Sequence, residues 1–158
     1  MNGFFGGINL SIMLTFLLQK HPDYSLSQLL FDFFQVFSSF DWSGFLALNP
    51  VEHHPELECD RFVWSQAYGG REYMVILTPS YPSINSMRSV TMSSRDVIIE
   101  ELNRGWTVCC GALQNAIDLM SLFDRLDFCS VYPYYIQIQI ASENERQWHD
   151  WLGWCESK

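Results

Sequence analysis

A glycine-rich segment at the start of the chain is the first place where residue types point to ligand chemistry. Gly6 and Gly7 stand directly before an apolar run that begins at Ile8. Backbone N–H groups without side chains at a helix start can approach a phosphate group or the edge of a purine closely. A pair of glycines is also typical of an ordinary tight turn. The residues alone leave both interpretations open.

A second group of side chains with chemical potential lies between residues 41 and 70, where glycines and prolines interrupt every periodic pattern. His53 and His54 precede Cys59, but no second Cys/His pair follows at ligand spacing, so we do not predict a metal site. Glu56 and Glu58 invite comparison with an acid and a base. Neighbouring carboxylates in an open loop are usually just solvated, and we predict a long acidic loop here.

The sequence contains none of the common catalytic motifs. The chain has no Walker-type phosphate loop, no G-x-G-x-x-G, no H-E-x-x-H and no G-x-S-x-G. Its Asp residues never stand two positions apart, so it lacks the Asp-x-Asp that grips a pair of magnesium ions. We therefore predict no catalytic residues and no metal ligands within this sequence.

Composition restricts the class of protein. The chain has 158 residues, of which 48% are hydrophobic, and its 12 Phe, 7 Tyr and 6 Trp exclude a disordered tail. A net charge of -9 argues against a stand-alone nucleic-acid clamp, because phosphate backbones are held mainly by cations. No apolar stretch approaches the ~20 residues of a membrane span. Five cysteines, two of them adjacent, favour free thiols in a reducing compartment.

Periodic apolar residues predict helices in the first half of the chain. Residues 8–20 are apolar enough for a mostly buried helix that Pro22 ends. Ser25 and Gln28 form a capping box that opens a second helix. Its predicted inward face consists of residues spaced by three and four: Leu26, Leu29, Leu30, Phe33, Phe34 and Phe37.

The second half alternates between strand and helix patterns. Residues 73–77 predict a short strand before a proline-rich turn, and Ser93 or Ser94 predicts the cap of a helix that Gly105 ends. Residues 112–126 read as another helix. Strict alternation over 135–140 predicts a half-buried strand, and a capping box of Ser142 and Glu145 predicts a final helix. The predicted fold class is α+β and mostly helical.

Several blocks resemble the central domain of eukaryotic nuclear poly(A) polymerases, in the order and nearly the spacing of that family. Gly3-Phe4-x-Gly6-Gly7-Ile8 is similar to its G-F-x-G-G-V. Residues 30–38 followed by Trp42 resemble its helix before a W-x-W-P loop. Ile76–Pro82 resembles I-I-T-P-A-Y-P, and Ser94–Gly105 resembles S/T-R-x-V-x-x-E-E-F-x-x-G. Glu156-Ser157-Lys158 resembles the V-E-S-K that closes the first helix of the family's RRM-like domain.

The resemblance implies a fold and a function. Residues 1–105 would form the helical central domain, and residues 106–158 would begin an RRM-like, ferredoxin-like RNA-binding domain with its opening strand and helix. The implied enzyme is a nuclear polynucleotide adenylyltransferase that adds AMP from ATP to RNA 3′ ends, with Mg²⁺ or Mn²⁺ bound outside this chain. Gly6, Gly7 and Ile8 would lie against ATP, with Ile8 on the adenine face.

The resemblance also implies partners. They are an upstream catalytic domain, the RNA 3′ end and RNA 3′-end processing factors, with no membrane involved. Without the catalytic carboxylates, this chain alone is expected to be inactive.

Some positions depart from the family pattern, and a function of another class stays open. Asn9-Leu10 replaces a tryptophan after G-G-V, Trp42-Ser43-Gly44-Phe45 replaces the W-P-x-P turn, and Ser89 replaces an RNA-facing asparagine. The alternative is a non-catalytic helical scaffold for protein interactions, derived from the same fold. A reading frame that continues upstream into Gly-Ser and Asp-x-Asp would favour the enzyme.

Overall fold

Four α-helices carry most of the regular structure in the computed structural model, which describes residues 3–65, 72–125 and 133–156. They are α1, Gly7–Lys20; α2, Leu26–Ser38; α3, Met92–Leu113; and α4, Glu145–Glu156. Short 3-10 helices cover Glu58–Phe62 and Leu119–Phe123. The chain divides into two compact units, Met1–Phe123 and Asp124–Lys158. The prediction of a mostly helical protein is confirmed.

The core of the first unit forms where α2 packs against both α1 and α3. Capping and periodicity explain α1 and α2: the Ser25 hydroxyl accepts a hydrogen bond from the Gln28 N–H, as predicted. Helix α1 is less buried than the apolar pattern predicted, because only one of its faces is buried and Ile8 and Leu18 are exposed. The side chain of Phe37 is fully buried, whereas Leu26 is exposed and Phe33 only half-buried.

Helix α3 differs from its prediction at both ends. Thr91 caps it, since its hydroxyl accepts from the Ser94 N–H at 3.2 Å and its own N–H donates to the Ser94 hydroxyl at 2.9 Å. Gly105 does not end the helix but lies buried within it. A Cβ at Gly105 would overlap the ring of Phe34 on α2, so this glycine lets the two helices approach closely.

The predicted helix over residues 112–126 is wrong within the described residues. Helix α3 ends at Leu113, and Asn115 adopts a left-handed φ of 54° two positions later. Such a residue commonly terminates a helix, because the left-handed conformation frees the chain to leave the helix axis. A 3-10 helix from Leu119 to Phe123 follows, and Leu126 lies outside the described residues.

The predicted strand over residues 73–77 is reduced to two isolated bridges, a parallel one between Leu46 and Ile76 and an antiparallel one between Leu77 and Asn85. The buried side chain of Asn85 takes the place of a neighbouring strand: its Oδ1 accepts from the Ile76 N–H at 3.1 Å, and its Nδ2 donates to the Met74 carbonyl at 3.0 Å. A side-chain amide therefore satisfies backbone groups that a sheet would otherwise pair.

The second unit contains α4 and, among its described residues, no strand. The alternation over 135–140 was predicted as a strand, but Ile136 and Ile138 are exposed and the segment has no ladder partner in the described chain. An opening strand and helix of RRM-like type are therefore not shown. Asn144 performs the predicted capping role of Ser142: its Oδ1 accepts from the Arg146 N–H at 3.0 Å. Ser157 and Lys158 lie outside the described residues.

Candidate functional site

The start of α1 presents backbone N–H groups that the hydrogen bonds within the helix do not use. Gly6 is the N-cap residue, and its own N–H donates to the Asn9 Oδ1 at 2.8 Å. The N–H groups of Gly7 and Ile8 have no acceptor among the described residues. The first turn carries no acidic side chain, so the positive end of the helix dipole is not neutralised locally.

The side chains around these N–H groups are exposed and apolar. Ile8 is 56% exposed and Phe4 is 52% exposed. A Cβ placed on Gly7 would meet nothing within 4 Å, so the backbone there faces open space. Ile8 is therefore a surface residue of α1, in contrast to the buried Ile12 one turn later. The surface combines free donors with an aliphatic side chain.

A buried asparagine holds this helix start in place. Asn9 is 3% exposed, and its Nδ2 donates to the Ser86 hydroxyl at 2.6 Å while its Oδ1 holds the Gly6 N–H. The Ser86 hydroxyl donates in turn to the Ile76 carbonyl at 2.8 Å. Sequence reasoning missed this role of Asn9. The available signal was the spacing of Gly6 and Asn9, which is that of a capping box with a short amide at the third helical position.

Other family-like blocks meet at the same end of α1. Gly3 has a φ of 69°, and a Cβ there would lie 2.9 Å from the Ser89 carbonyl oxygen and 3.0 Å from the Ser94 hydroxyl. The ring of Phe5 lies 6.5 Å from that of Trp42. Segments far apart in sequence thus converge on the glycine-rich segment.

The acidic loop is tied to the proline-rich turn through Asp60. Its Oδ1 accepts from the His54 N–H at 2.7 Å and from the Tyr81 hydroxyl at 2.9 Å. The hydrogen bond from the His54 backbone is the main reason that the pKa of Asp60 is lowered. Burial and the neighbouring Asp60 raise the pKa of the Tyr81 hydroxyl above its ordinary value. Asp60 thus has a structural role in anchoring the loop.

Metal ligation has no counterpart in the described residues. No group of three His, Cys, Asp or Glu side chains in the described part of the chain could hold a metal ion, and this includes His53, His54 and Cys59. His54 instead lies 3.4 Å from Glu56 and 3.6 Å from Glu52 at the surface. Among the same residues, no helix is long and apolar enough to cross a bilayer.

Comparison with known proteins assigns a family to this arrangement. The family model of the poly(A) polymerase central domain matches residues 1–125. Over its full length the chain is 31% identical to Nuclear poly(A) polymerase 1 and 30% identical to Nuclear poly(A) polymerase 2, both of Arabidopsis thaliana. It is 29% identical to Poly(A) polymerase of Dictyostelium discoideum over 99% of its residues.

These relatives are much longer proteins. The chain spans 22% of the first, 20% of the second and 19% of the third, or about a fifth of their length. The family model covers most of the chain, including all the blocks that converge on the start of α1. The chain belongs to the poly(A) polymerase family, and its residues 1–125 match the central domain of that family.

Proposed function

We propose that this chain is part of a polynucleotide adenylyltransferase that adds AMP from ATP to RNA 3′ ends in the nucleus. Family membership supports the reaction, and two of the relatives above carry the word nuclear in their names. In this reaction the RNA 3′ hydroxyl attacks the α-phosphorus of ATP, and pyrophosphate leaves. The Mg²⁺ or Mn²⁺ ions of such an enzyme would be held outside this chain, together with its catalytic carboxylates.

Within that enzyme, we propose that Gly6, Gly7 and Ile8 lie against the incoming ATP. The observation that carries this proposal is the exposure of Ile8 beside the unpartnered N–H groups of Gly7 and of Ile8 itself. A flat adenine ring can pack on the aliphatic side chain, while the N–H groups face acceptor atoms of the nucleotide. Asn9 fixes the helix start, so that little ordering is needed on binding.

Domain and partner assignments follow from the same proposal. Residues 1–105 would be the central helical domain, and residues 106–158 would begin an RRM-like domain that contacts RNA. The partners would be the upstream catalytic domain, the RNA 3′ end and 3′-end processing factors. The relatives match the chain over its full length, whereas the family model of the central domain stops at residue 125. This difference supports a region beyond the central domain.

A hybrid enzyme tests the assignment of Ile8. The chain would replace its aligned segment in Nuclear poly(A) polymerase 1 of Arabidopsis thaliana, and primer extension would be measured as a function of ATP concentration. Ile8→Asp removes an apolar contact worth about 1–1.5 kcal/mol and adds repulsion toward the triphosphate. We expect the apparent KM for ATP to rise about tenfold while affinity for the RNA primer stays nearly unchanged.

Leu26→Asp is the matched control, because Leu26 is also an exposed apolar residue in the first turn of a helix. It should leave the KM for ATP unchanged. An Ile8→Asp hybrid that melts like the parent hybrid and shows the same ATP dependence would contradict the assignment. A folded parent hybrid with no extension activity would favour the non-catalytic interaction scaffold over the enzyme.

A further inference from the structure

A cavity of about 320 Å³ is lined by residues on both sides of Asn85 in the sequence and by Asn85 itself. Its walls combine aromatic rings with two of the chain's nine cationic side chains. Among the described residues that line it, those that matter for binding are Arg61, Phe62, Trp64, Glu72, Asn85 and Arg88. Its volume is within the range of small-ligand sites.

Several contacts hold Trp64, which lines the cavity. The Trp64 N–H donates to the Ser83 carbonyl at 2.7 Å, and the indole Nε1 donates to the Glu72 Oε2 at 2.9 Å. The Trp64 ring also packs on Phe45, with ring centroids 4.8 Å apart. The side-chain amide of Asn85 hydrogen-bonds to backbone groups of Met74 and Ile76, and Asn85 is 4% exposed. The indole plane is therefore fixed before any ligand arrives.

The cavity is also lined by two arginines, Arg61 and Arg88, and by a second aromatic ring, that of Phe62. The Arg61 guanidinium lies 4.7 Å from the centroid of the Phe62 ring, which is 57% exposed. Arg61 has no carboxylate at ion-pair distance among the described residues. The side chain of Arg88 is 76% exposed, and its only described ion pair is a loose one of 4.0 Å to Glu72. Both guanidinium groups can thus bind an anion.

We propose that this cavity binds one nucleotide unit of single-stranded RNA, with a base on the aromatic rings and a backbone phosphate on Arg61 and Arg88. Stacked bases and guanidinium–phosphate contacts are the usual elements of single-strand recognition. In a chain of net charge -9, two arginines at one cavity offset the repulsion that a phosphate meets elsewhere, and the Glu72 carboxylate beside them already accepts from the Trp64 indole. The inference rests on the proposed function, which supplies RNA as the ligand.

Binding of a short fluorescein-labelled oligo(A) to the 158-residue chain, followed by fluorescence anisotropy between about 50 and 200 mM salt, tests this site. Arg88→Gln should weaken binding about fivefold, and the slope of log affinity against log salt should become shallower by about 0.7, the value for one phosphate contact on a single strand. Phe62→Ala should weaken binding at least about fivefold through the lost stack.

Lys20→Gln is the matched control, because it removes one exposed cation and leaves the cavity unchanged. Arg88 and Phe62 are exposed, so their variants should melt at the parent temperature. Arg61→Gln provides a second test of the phosphate contact, with the same expected loss and the same change in slope.

Three results would overturn the site. They are no oligo(A) binding by the parent chain, equal affinity and slope for Arg88→Gln and Lys20→Gln, or full displacement of oligo(A) by ATP at the same nucleotide concentration, which would assign the cavity to a mononucleotide. The hybrid enzyme separates this proposal from the proposed function. Primer extension by the hybrid together with unaltered binding by Arg88→Gln would refute the cavity alone, whereas an inactive hybrid with weakened Arg88→Gln binding would refute only the function.

Discussion

Gly105 lies in close contact with the ring of Phe34. We therefore predict that Gly105→Ala lowers stability when the Phe34 ring is present and raises it when the ring is removed. In a helix interior, Gly→Ala ordinarily raises the free energy of unfolding by about 0.5–1 kcal/mol. In this chain the new Cβ would lie well inside van der Waals contact with three carbons of the Phe34 ring. Overpacking of this kind costs about 1–3 kcal/mol. We therefore expect Gly105→Ala to destabilise the parent chain by about 1–2 kcal/mol.

Removal of the ring should reverse the effect. In a Phe34→Ala background the added methyl group has room, and Gly105→Ala should stabilise the chain by about 0.5–1 kcal/mol through helix propensity alone. The two positions should therefore couple by about 2 kcal/mol in a double-mutant cycle. Urea unfolding followed by circular dichroism would give the four stabilities, compared through their midpoints at constant slope.

Two outcomes would contradict the reasoning. If Gly105→Ala stabilised the parent chain, the close approach of α2 to α3 would be wrong. If it destabilised both backgrounds equally, Gly105 would instead adopt the left-handed conformation of a helix-ending residue, because alanine is strained there whatever the space around it. Gly153→Ala is a control in α4, where a Cβ would meet nothing within 4 Å and only the gain in propensity should appear.

Four further substitutions test the core, the loop anchor and the helix start. Phe37→Ala should cost about 3–5 kcal/mol in urea unfolding, and Phe33→Ala clearly less, since Phe37 is 0% exposed and Phe33 only half-buried. The lowered pKa of Asp60 stabilises the fold above the ordinary carboxyl value of about 4, and this stability is lost as pH falls through the folded pKa. As pH falls below about 4, the free energy of unfolding of Asp60→Asn should therefore decrease less than that of the parent. An equal decrease in the two proteins would contradict this role. Asn9→Ala should cost about 1–3 kcal/mol in the same urea assay, because the Gly6 N–H loses its acceptor and the Ser86 hydroxyl loses the donor to its oxygen.

Helices with local signals could be predicted from the sequence, because caps and apolar periodicity act within a few residues. The Ser25–Gln28 box and the starts of α1 and α2 are of this kind. Gly105 was misread as a helix end because its role depends on Phe34, a residue on another helix. The strand over 73–77 was overpredicted for a similar reason. β-Propensity does not reveal that a side chain, Asn85, will occupy the place of a partner strand.

The candidate site was predictable only in part. The glycine pair and Ile8 could be located as a helix start, and their resemblance to a family motif indicated what they face. The buried contacts of Asn9 and the packing of Gly3 on Ser89 and Ser94 required the folded chain, because both join segments that are distant in sequence. The cavity beside Trp64 carried no sequence signal, since arginines and aromatic residues in a loop are not periodic.

The Asn85 side chain has a consequence for hydrogen exchange. Its single Oδ1 accepts from the Ile76 N–H at 3.1 Å and from the Met87 N–H at 2.9 Å, so one rotation of χ1 would release both amide protons. Exchange with deuterium at these two positions should therefore follow one opening event, although they belong to different segments of the backbone. In most protected amides the protecting acceptor is a backbone carbonyl, whereas here the shared protection of two amides depends on the conformation of one side chain.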